Sequence, residues 1–322
     1  MSILLTGAAG FIGSHLSERL LSRGESVVGL DSFDTFYDPA LKEVNVRNAM
    51  AHERYRLVRG DIRDQEVVSR LPEDIDTVIH LAARAGVRPS IEEPVLYTDV
   101  NVLGTMNLLE FTAARGIPTF LFASSSSVYG NSVTVPFVES DPVDRPISPY
   151  AATKKAGELL CHTATHLHGF ACVCLRFFTV YGPRQRPDLA IRKFARLMTE
   201  GREVPMFGDG STERDYTYID DILDGIEGSL RYARENPGSY EVVNLGESRT
   251  ISLRHMIHTV ADVFGVQPKV VQHPLQPGDV TRTYADISHA RNLFGYNPTT
   301  GFREGVERFA EWFNEATSVA GK

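Results

Sequence analysis

Near the start of the chain stands Thr6-Gly7-Ala8-Ala9-Gly10-Phe11-Ile12-Gly13, a glycine-spaced segment between two apolar patterns. Before it, Ile3-Leu4-Leu5 is a short apolar run, and after it Phe11 to Leu21 carries apolar residues at helical spacing. This order predicts a strand, a tight turn and a helix, the context in which a glycine fingerprint binds a dinucleotide. Gly7 permits the tight turn, Gly10 lets the backbone approach a pyrophosphate, and Gly13 lets the helix pack on the strand. The pyrophosphate is expected at the helix N-terminus, where free amides and the helix dipole favour anions.

Acidic residues follow the next two strand-like segments. The segment Ser26-Val27-Val28-Gly29-Leu30-Asp31 predicts a second strand, with Asp31 either at its end as a ligand or as an ordinary turn residue. A carboxylate about 20 residues beyond the glycine loop suits a ribose 2′-hydroxyl and repels a 2′-phosphate, which favours NAD over NADP. Asp61 and Ile62 follow a third strand-like segment, and Asp61 is a candidate acceptor for the adenine amino group.

A tyrosine and a lysine stand four residues apart in Ser148-Pro149-Tyr150-Ala151-Ala152-Thr153-Lys154. Ser148 can cap a helix and Pro149 suits its first position, so the pattern predicts a helix that starts here. Residues four apart share a helix face, which brings the ammonium of Lys154 to the ring of Tyr150. A free tyrosine has a pKa of about 10, and a nearby positive charge lowers it. The pair can then take a proton from a substrate hydroxyl as hydride leaves the same carbon, unless the helix carries the two residues by chance.

Composition argues against several classes of protein. The 322 residues allow one large or two modest domains, and the net charge of -8 argues against a general surface for nucleic acids or membranes. The three cysteines, Cys161, Cys172 and Cys174, lack the spacing of a zinc site, so we expect reduced thiols, a cytoplasmic location and no bound metal. We expect no signal peptide before the first strand, and no apolar stretch is long enough to span a bilayer.

Strand-like and helix-like segments alternate through the first half of the chain. The strand candidates are residues 2–6, 26–31, 55–59, 75–81, 118–124 and 171–177. This alternation predicts an α/β fold, a Rossmann-type doubly wound parallel sheet covered on both faces. We expect a NAD-binding domain over residues 1–178, with later elements near 215–245 returning to it. Residues 179–322 are expected to form mainly a smaller mixed α/β domain that caps the substrate, with a last helix near 303–317.

Several motifs occur together in one order along the chain. The glycine loop has GxxGxxG spacing, and it is followed by His80-Leu81-Ala82-Ala83, Ser124-Ser125-Ser126-Ser127-Val128-Tyr129-Gly130, the Tyr150 helix, and Arg214-Asp215-Tyr216-Thr217-Tyr218-Ile219-Asp220-Asp221. Over essentially the whole chain, this pattern resembles the NAD-dependent sugar-nucleotide epimerase/dehydratase family of the extended short-chain dehydrogenase/reductase superfamily. The resemblance implies a Rossmann fold, bound NAD and a UDP-sugar substrate.

The resemblance also assigns roles to individual residues. It implies that Ser125 and Tyr150 contact the reacting hydroxyl, and that Lys154, the third catalytic residue, also binds the nicotinamide ribose. It implies cofactor contacts from Leu81, Ala82, Ala83 and Tyr181, the last beside the nicotinamide, in addition to Gly7, Gly10, Phe11, Ile12, Gly13, Asp31, Asp61 and Ile62. Arg214 is implied to bind the diphosphate, and Asp279 the nucleotide ribose. The family often carries an arginine where this chain has Gln276, and Arg282 is a candidate replacement.

The serine run distinguishes between members of this family. Sugar 4,6-dehydratases typically carry Thr-Asp-Glu before Val-Tyr-Gly, where the acids drive elimination, and UDP-glucuronate decarboxylases carry a glutamate in the same stretch. This chain has Ser125, Ser126 and Ser127 there and no acid. The resemblance therefore argues against elimination or decarboxylation.

Two further stretches favour an acidic sugar. Similarity to UDP-glucuronate 4-epimerases is carried by Arg84-Ala85-Gly86-Val87-Arg88 and by Arg176-Phe177-Phe178-Thr179-Val180-Tyr181-Gly182-Pro183 with Arg186-Pro187-Asp188. Neutral-hexose epimerases more often have Asn in place of Thr179. The hydroxyls of Ser126, Ser127 and Thr179 can donate to a C6 carboxylate, with Arg186 as a charge partner. Arg88 is a further candidate substrate contact, although Arg84, Arg88 and Arg186 can also be solvated loop arginines.

The leading hypothesis is epimerisation at C4 of UDP-glucuronate, giving UDP-galacturonate through a transient 4-keto sugar, with NAD held tightly and not consumed. A UDP-glucose/UDP-galactose 4-epimerase and a net oxidoreductase would use the same residues and stay open. A non-catalytic NAD-sensing or RNA-binding relative is a further alternative, although such proteins usually lack the tyrosine and the lysine. The helices around 95–115 and 150–168 resemble those of the family's dimer bundle, so we expect a homodimer.

Overall fold

The computed structural model describes residues 1–274 and 280–320, with side chains through residue 317. The strands are β1 Ser2–Thr6, β2 Val27–Asp31, β3 Tyr55–Arg59, β4 Ile75–His80, β5 Thr119–Ser125, β6 Ala171–Phe177, β7 Thr179–Tyr181, β8 Glu203–Phe207, β9 Glu213–Tyr218, β10 Tyr240–Leu245, β11 Thr250–Ser252 and β12 Lys269–His273. The α-helices are α1 Phe11–Ser22, α2 Pro39–Met50, α3 Gln65–Ser69, α4 Val87–Glu92, α5 Pro94–Thr98, α6 Gly104–Ala114, α7 Pro149–His168, α8 Ala190–Thr199, α9 Ile219–Glu235, α10 Leu253–Phe264, α11 Ser288–Phe294 and α12 Phe302–Ala320. A π-helical turn, Asp99–Leu103, joins α5 to α6, and a 3₁₀ turn, Ser126–Tyr129, follows β5. Within these ranges, no helix has both the length and the apolar character needed to cross a bilayer.

A seven-stranded parallel sheet forms the centre of the molecule, in the order β10-β6-β5-β4-β1-β2-β3. Every residue of β1, β2, β5 and β6 is buried, because helices cover both faces of the sheet. On β1, Ile3 and Leu5 pack into one apolar cluster and Leu4 into the other, as alternation along a strand requires. The six strand candidates agree with the observed strands to within one residue, and the predicted fold class is confirmed.

The seventh strand of the main sheet comes from the second half of the chain. β10 pairs with β6 in a parallel register that runs from Tyr240 beside Cys172 to Leu245 beside Phe177. An element near 215–245 therefore does return to the sheet, whereas the division of the chain at residue 178 stays a prediction. The remaining strands form two small sheets, β11-β9-β7 and β12-β8, and the last predicted helix is α12.

A buried carboxylate links the smaller sheet to the loops around it. Asp215 on β9 is fully buried and accepts hydrogen bonds from the backbone amides of Glu247, Ser248 and Ala285 at 2.7, 3.0 and 3.1 Å. Burial raises the pKa of Asp215 to about 6, although these hydrogen bonds act to lower it. Asp215 thus holds together segments that are more than thirty positions apart in sequence.

Strand order in the main sheet reverses between β1 and β4, which are neighbours although two strands separate them in sequence. In open α/β sheets, ligands bind outside the carboxyl ends of the strands at such a switch point. The glycine loop follows β1, and the serine run includes the last residues of β5 and the turn after it. The fold therefore brings both motifs to the same edge of the sheet.

Candidate active site

A cleft of about 510 Å³ crosses the carboxyl ends of β1 to β6. Its lining includes most of the residues that the sequence singled out: Gly7, Gly10, Phe11, Ile12, Gly13, Asp31, Asp61, Ile62, Leu81, Ala82, Ala83, Ser125, Ser126, Ser127, Tyr150, Lys154, Thr179 and Arg186. Residues separated by up to 179 positions are thus brought to one surface. The roles of the individual residues remain predictions. The hydrogen bonds and burial of each side chain show what it can do chemically.

The glycine loop is shaped by close backbone contacts that no side chain would allow. Gly7 has a φ of +71°, and a Cβ there would lie 2.9 Å from the amide nitrogen of Ala82. A Cβ on Gly13 would lie 2.1 Å from the carbonyl oxygen of Gly7. Helix α1 begins after Gly10 without a side-chain cap, so its first amides are available to an anion in the cleft. A pyrophosphate fits this site for the reasons that the sequence pattern indicated.

The Asp31 carboxylate is held in place at the end of β2. One oxygen accepts from the amide of Ala9 at 3.0 Å and the other from the amide of Phe33 at 2.8 Å. The ammonium of Lys42 lies 3.9 Å from it. A carboxylate fixed in this way can still accept from a ribose hydroxyl, because each oxygen has a second lone pair.

Asp61 is held by its neighbour Arg63. The Arg63 guanidinium donates to both carboxylate oxygens, at 3.1 and 2.7 Å, and its amide donates at 2.8 Å. Burial acts to raise the pKa of Asp61, but the hydrogen bonds from Arg63 outweigh burial and the pKa is lowered. A charged carboxylate therefore stands beside Ile62 at this end of the cleft, where we predict the adenine.

A buried histidine supports the backbone that follows β4. His80 Nδ1 lies 2.8 Å from the hydroxyl of Thr6, and its Nε2 lies 2.9 Å from the hydroxyl of Thr105. Thr105 donates its own proton to the carbonyl of Asn101, so Nε2 of His80 is the donor to Thr105 and Nδ1 accepts from Thr6. Burial and the charge of Lys154 lower the pKa of His80 to about 3. His80 is therefore a neutral brace between β1, β4 and α6.

Tyr150 stands at the start of α7, as predicted. The Ser148 hydroxyl accepts from the amide of Ala151 at 3.1 Å and caps the helix. The Tyr150 ring packs edge-on against Tyr97, with centroids 6.3 Å apart. Burial raises the pKa of Tyr150, while a hydrogen bond with Ser125 and the charge of Arg186 act to lower it. Tyr150 thus has a hydroxyl partner and a cationic neighbour within the cleft.

Lys154 lies one turn further along α7, and its ammonium donates to the carbonyl of Ala123 at 2.6 Å. It lies 5.9 Å from the centroid of the Tyr150 ring. Burial lowers the pKa of Lys154 to about 8. The sequence pattern assigned a lowering of the tyrosine pKa to Lys154. In the structure burial raises the pKa of Tyr150, and the cation that acts against burial is Arg186. The ammonium of Lys154 is directed to the strand carbonyl instead.

The far end of the cleft is lined by hydroxyl groups and one guanidinium. Ser125 Oγ accepts from the amide of Ser127 at 3.1 Å, and their hydroxyl oxygens lie 3.2 Å apart. Thr179 begins β7, and Arg186 is held by two hydrogen bonds to Asp188 at 2.9 and 2.7 Å. In the described lining, the carboxylates are Asp31 at the end of β2, Asp34 in the loop after it, and Asp61 after β3. None of them belongs to the serine run or to β7, which supply the hydroxyls of Ser125, Ser126, Ser127 and Thr179.

A buried network behind the serine run was not foreseen from the sequence. The Ser124 hydroxyl donates to Glu158 at 2.6 Å, and Arg176 donates to both carboxylate oxygens of Glu158 at 2.8 and 2.9 Å. Arg176 also donates to the Tyr129 hydroxyl at 2.9 Å. These contacts join β5, α7 and β6, so they fix the strand end that carries Ser125. Sequence spacing does not predict these contacts, because the partners lie on three separate elements.

Tyr181 requires a correction. It is fully buried, and its hydroxyl donates to the carbonyl of Phe302 at 3.2 Å. Its ring packs against Tyr216, Tyr218 and Phe302 rather than lining the cleft. The predicted position beside the nicotinamide is therefore wrong for this side chain, because aromatic packing with α12 and β9 holds it in the core.

Several predicted substrate residues lie elsewhere than in the cleft lining. Arg88 stacks over the ring of Phe207 at 5.4 Å, and Arg214 donates to the carbonyl of Glu213 at 2.8 Å. Arg282 pairs with the Glu213 carboxylate and lines a second cavity of about 640 Å³. Its contact with a diphosphate is therefore not supported. Asp279 and Gln276 lie outside the described residues.

The segment between β2 and α2, together with the first turn of α2, adds cleft residues that sequence reasoning missed. Phe36, Tyr37 and Lys42 all line the cleft. The guanidinium of Arg186 lies over the Phe36 ring at 5.3 Å, and that of Arg84 lies over the same ring at 4.9 Å. The one sequence signal was position, since Phe36 and Tyr37 follow the sheet-edge carboxylate of Asp31 by five and six residues.

Comparison with known proteins agrees with this geometry. The family model described as GDP-mannose 4,6 dehydratase matches residues 4–309. UDP-glucuronate 4-epimerase 1 of Arabidopsis thaliana is 43% identical over 330 residues, which cover 97% of this chain and 76% of that protein. The structure of UDP-glucuronic acid 4-epimerase from Bacillus cereus, in complex with UDP-glucuronic acid and NAD, is 38% identical with a TM-score of 0.92 and covers 98% of this chain and 100% of that one. UDP-glucose 4-epimerase of Thermus thermophilus, in complex with NAD, is 33% identical with a TM-score of 0.87, with coverages of 98% and 100%.

The match to the family model spans nearly all of the described chain, and the relatives align over nearly all of its length. The motif order, the parallel sheet and the cleft at its switch point agree with that match. The chain belongs to the GDP-mannose 4,6-dehydratase family, the sugar-nucleotide epimerases and dehydratases of the extended short-chain dehydrogenase/reductase superfamily.

Proposed function

We propose that this protein epimerises UDP-glucuronate at C4, giving UDP-galacturonate through a transient 4-keto sugar with NAD retained. The observation that carries the proposal is the composition of the cleft beside Tyr150 and Lys154. The hydroxyls of Ser125, Ser126, Ser127 and Thr179 and the guanidinium of Arg186 line the cleft together with Tyr150 and Lys154, and the described lining has no carboxylate on the serine run or on β7. Similarity to the Arabidopsis and Bacillus proteins supports the same substrate.

The residues present fit NAD. The glycine loop lines the cleft, and α1 begins there without a side-chain cap, so a pyrophosphate would accept from its first amides. Asp31 would bind the adenosine ribose, and Asp61 the adenine. When bound, NAD supplies an acceptor for the C4 hydride and later returns that hydride to the sugar. Lys154 would bind the nicotinamide ribose, with the backbone of Leu81 to Ala83 along the cofactor.

Tyr150 is the proton acceptor in this proposal. Its phenolate oxygen would take the proton from O4 of the sugar, while Ser125 hydrogen-bonds the same oxygen. The charge of Arg186 and the hydrogen bond with Ser125 act to favour the phenolate that this step requires. After the keto sugar rotates in the cleft, the opposite face of C4 would be presented to the returning hydride, and Tyr150 would give the proton back to O4. The absence of an acid in Ser125–Ser127 leaves no group there to drive loss of water.

The carboxylate of the sugar would lie against Ser126, Ser127, Thr179 and Arg186. Charge-assisted hydrogen bonds of this kind contribute about 1.5–3 kcal/mol each. Several short donors can hold a carboxylate through the rotation of the ring, which protects the 4-keto uronate from losing carbon dioxide. Arg214 and Asp279 remain our proposed contacts to the diphosphate and ribose of UDP, and Arg88 a further candidate.

The test is a comparison of kcat/KM for UDP-glucuronate and UDP-glucose on the wild-type enzyme. An NMR time course with each sugar nucleotide, without added reductant, also distinguishes the alternatives. We expect UDP-galacturonate to accumulate and the ratio to favour the uronate by at least tenfold. A ratio near or below one would favour the UDP-glucose 4-epimerase, net conversion of NAD would indicate an oxidoreductase, and no turnover would indicate a non-catalytic relative.

A homodimer is part of the proposal. Apolar side chains on the helices predicted for the dimer bundle are exposed: Val95 by 72%, Leu103 by 49%, Leu159 by 57% and Leu167 by 67%. Covering these side chains with a second copy would remove them from water. Light scattering should give twice the chain mass for the wild type and half that value for Leu159→Glu. A cytoplasmic location is proposed as well, since all three cysteines are unpaired.

A further inference from the structure

The three cysteines of the chain converge on one point in the core. Cys161 lies on α7, and Cys172 and Cys174 lie on β6 two residues apart, hence on the same face of the strand. Their sulfur atoms all lie within 4.8 Å of one another, and all three side chains have no exposed surface. The chain contains three cysteines in total, so every thiol it possesses is in this cluster.

We propose that Cys161, Cys172 and Cys174 form a buried three-thiolate site for a soft metal ion of low coordination number, of which Cu(I) fits best. Thiolate ligands select soft ions such as Cu(I) over the harder divalent ions that carboxylates prefer. This site is separate from the cleft, and it does not depend on the function proposed above.

The dimensions of the cluster suit a trigonal ion. Metal–thiolate bonds are about 2.3 Å long, so three sulfurs around one ion in a plane lie about 4.0 Å apart. The observed upper limit of 4.8 Å requires only a small contraction of the three side chains. Zinc usually takes four ligands, and in the described part of the chain this group offers three. The number of donors therefore favours a three-coordinate ion.

A neighbouring hydroxyl is an independent indication that thiolates belong here. Thr165 lies one helical turn after Cys161 and is 6% exposed, and its hydroxyl has no hydrogen-bond partner within the described residues. It lies within reach of the Cys172 sulfur and would donate to a thiolate there. Buried polar groups are rarely left unpaired. A metal-bound thiolate would give the Thr165 hydroxyl the acceptor that it lacks.

The competing explanation is that the cysteines are small apolar residues, because free cysteine is commonly buried. They do pack in an apolar cluster with Phe120, Phe122 and Phe170. That explanation accounts for burial of each residue but not for the meeting of all three, which come from two elements. The two explanations differ in one measurable property, the affinity of the folded protein for a thiophilic ion.

The site would also affect the cleft through helix α7. Cys161 lies seven residues, or about two turns, after Lys154, so the two share a helix face. An ion bound by thiolates leaves a net negative charge behind the catalytic lysine. Loading of the site should therefore alter turnover without any contact between the metal and the substrate.

The experiment is an anaerobic titration of the folded enzyme with Cu(I) buffered by bicinchoninate, followed to equilibrium over several hours. We expect one Cu(I) per chain and a sulfur-to-copper charge-transfer band in the near ultraviolet. Cys172→Ser and Cys174→Ser should lose the band. His162→Ala is the matched control, since His162 lies on the same helix beside Tyr240 and could bind copper adventitiously. That variant should bind as the wild type does.

A second measurement covers the case in which a serine variant fails to fold. Wild-type enzyme loaded with Cu(I) should protect its thiols from a small alkylating agent in mild denaturant, whereas enzyme without copper should not. Failure of the wild type to take up copper would overturn the proposal, as would a band that persists in both serine variants or disappears in His162→Ala. None of these outcomes depends on whether the enzyme epimerises UDP-glucuronate.

Discussion

The two ends of the cleft use one sheet edge in different ways. At the end formed by β1 to β3, recognition rests on backbone amides and on carboxylates that are already fixed, such as Asp31 bonded to two amides. At the end formed by β5 and β7, the short hydroxyls of Ser125, Ser127 and Thr179 line the cleft together with Tyr150 and Lys154. The first end suits a ligand that binds in one pose and stays. The second suits a sugar that must turn over between two half-reactions.

The largest effect should come from removing one hydroxyl at the reactive end. Tyr150→Phe should lower kcat by about 10²–10⁴, because only the proton relay is lost. Bound NAD and the circular dichroism spectrum should be unchanged, since the cofactor contacts at the other end remain. An NMR time course with UDP-glucuronate measures the rate, and absorbance of released cofactor measures occupancy.

Tyr97→Phe is the matched control for that variant. Tyr97 packs against Tyr150, and its hydroxyl donates to the carbonyl of Ala85 at 3.0 Å. Its loss removes a hydroxyl of the same kind from the same place without touching the proton relay, so turnover should fall far less. A Tyr150→Phe enzyme that kept most of the wild-type rate would contradict the assigned mechanism.

The second effect sharpens the comparison within the reactive end. Thr179→Ala and Arg186→Ala should each lower kcat/KM for UDP-glucuronate by about 10–100-fold, because each removes a charge-assisted contact worth about 1.5–3 kcal/mol. Any residual reaction with UDP-glucose should change much less. Arg184→Ala is the control, since Arg184 lies in the same loop but pairs with Glu18. Equal losses of kcat/KM for UDP-glucuronate and UDP-glucose would show that Thr179 and Arg186 do not recognise the sugar carboxylate.

The third effect belongs to the adenosine end. Asp31→Ala should weaken NAD binding by about tenfold and relax discrimination against NADP, because both a hydrogen bond to ribose and a repulsive charge are lost. Asp31→Asn separates the two causes, since it keeps the shape and removes the charge. Calorimetry that found NADP bound as tightly as NAD by the wild type would reject this role for Asp31.

Much of the adenosine end could be predicted from sequence because its determinants are local. A parallel strand that is buried on both faces appears in the sequence as an apolar run. A loop whose backbone contacts require glycine at Gly7 and Gly13 appears as a regular spacing of glycines. The helix that carries Tyr150 could also be predicted, because its cap Ser148, its first residue Pro149 and the pair Tyr150 and Lys154 lie within seven residues.

The remainder could not be predicted because it depends on contacts between distant segments. Tyr181 was assigned to the cofactor, yet its side chain bonds to Phe302, which lies 121 residues away. The bond between Arg176 and Glu158 and the convergence of the cysteines join α7 to β6, and no periodicity reveals such a meeting. Resemblance to a family predicts which residues matter more readily than which way each side chain faces.

The fourth effect concerns stability rather than activity at the reactive end. Burial lowers the pKa of Lys154 from its ordinary value of 10.5 to about 8, so between these values the unfolded chain binds more protons than the folded one. Stability contributed through Lys154 therefore rises with pH over that window and is constant below it. Lys154→Met removes this dependence along with activity. Relative to the variant, the wild type should gain about 2 kcal/mol between pH 8 and pH 10. Urea melts of the two proteins at matched pH measure the difference, in which titrations common to both cancel. A difference that stayed flat would mean that the Lys154 ammonium is not buried as the structure has it.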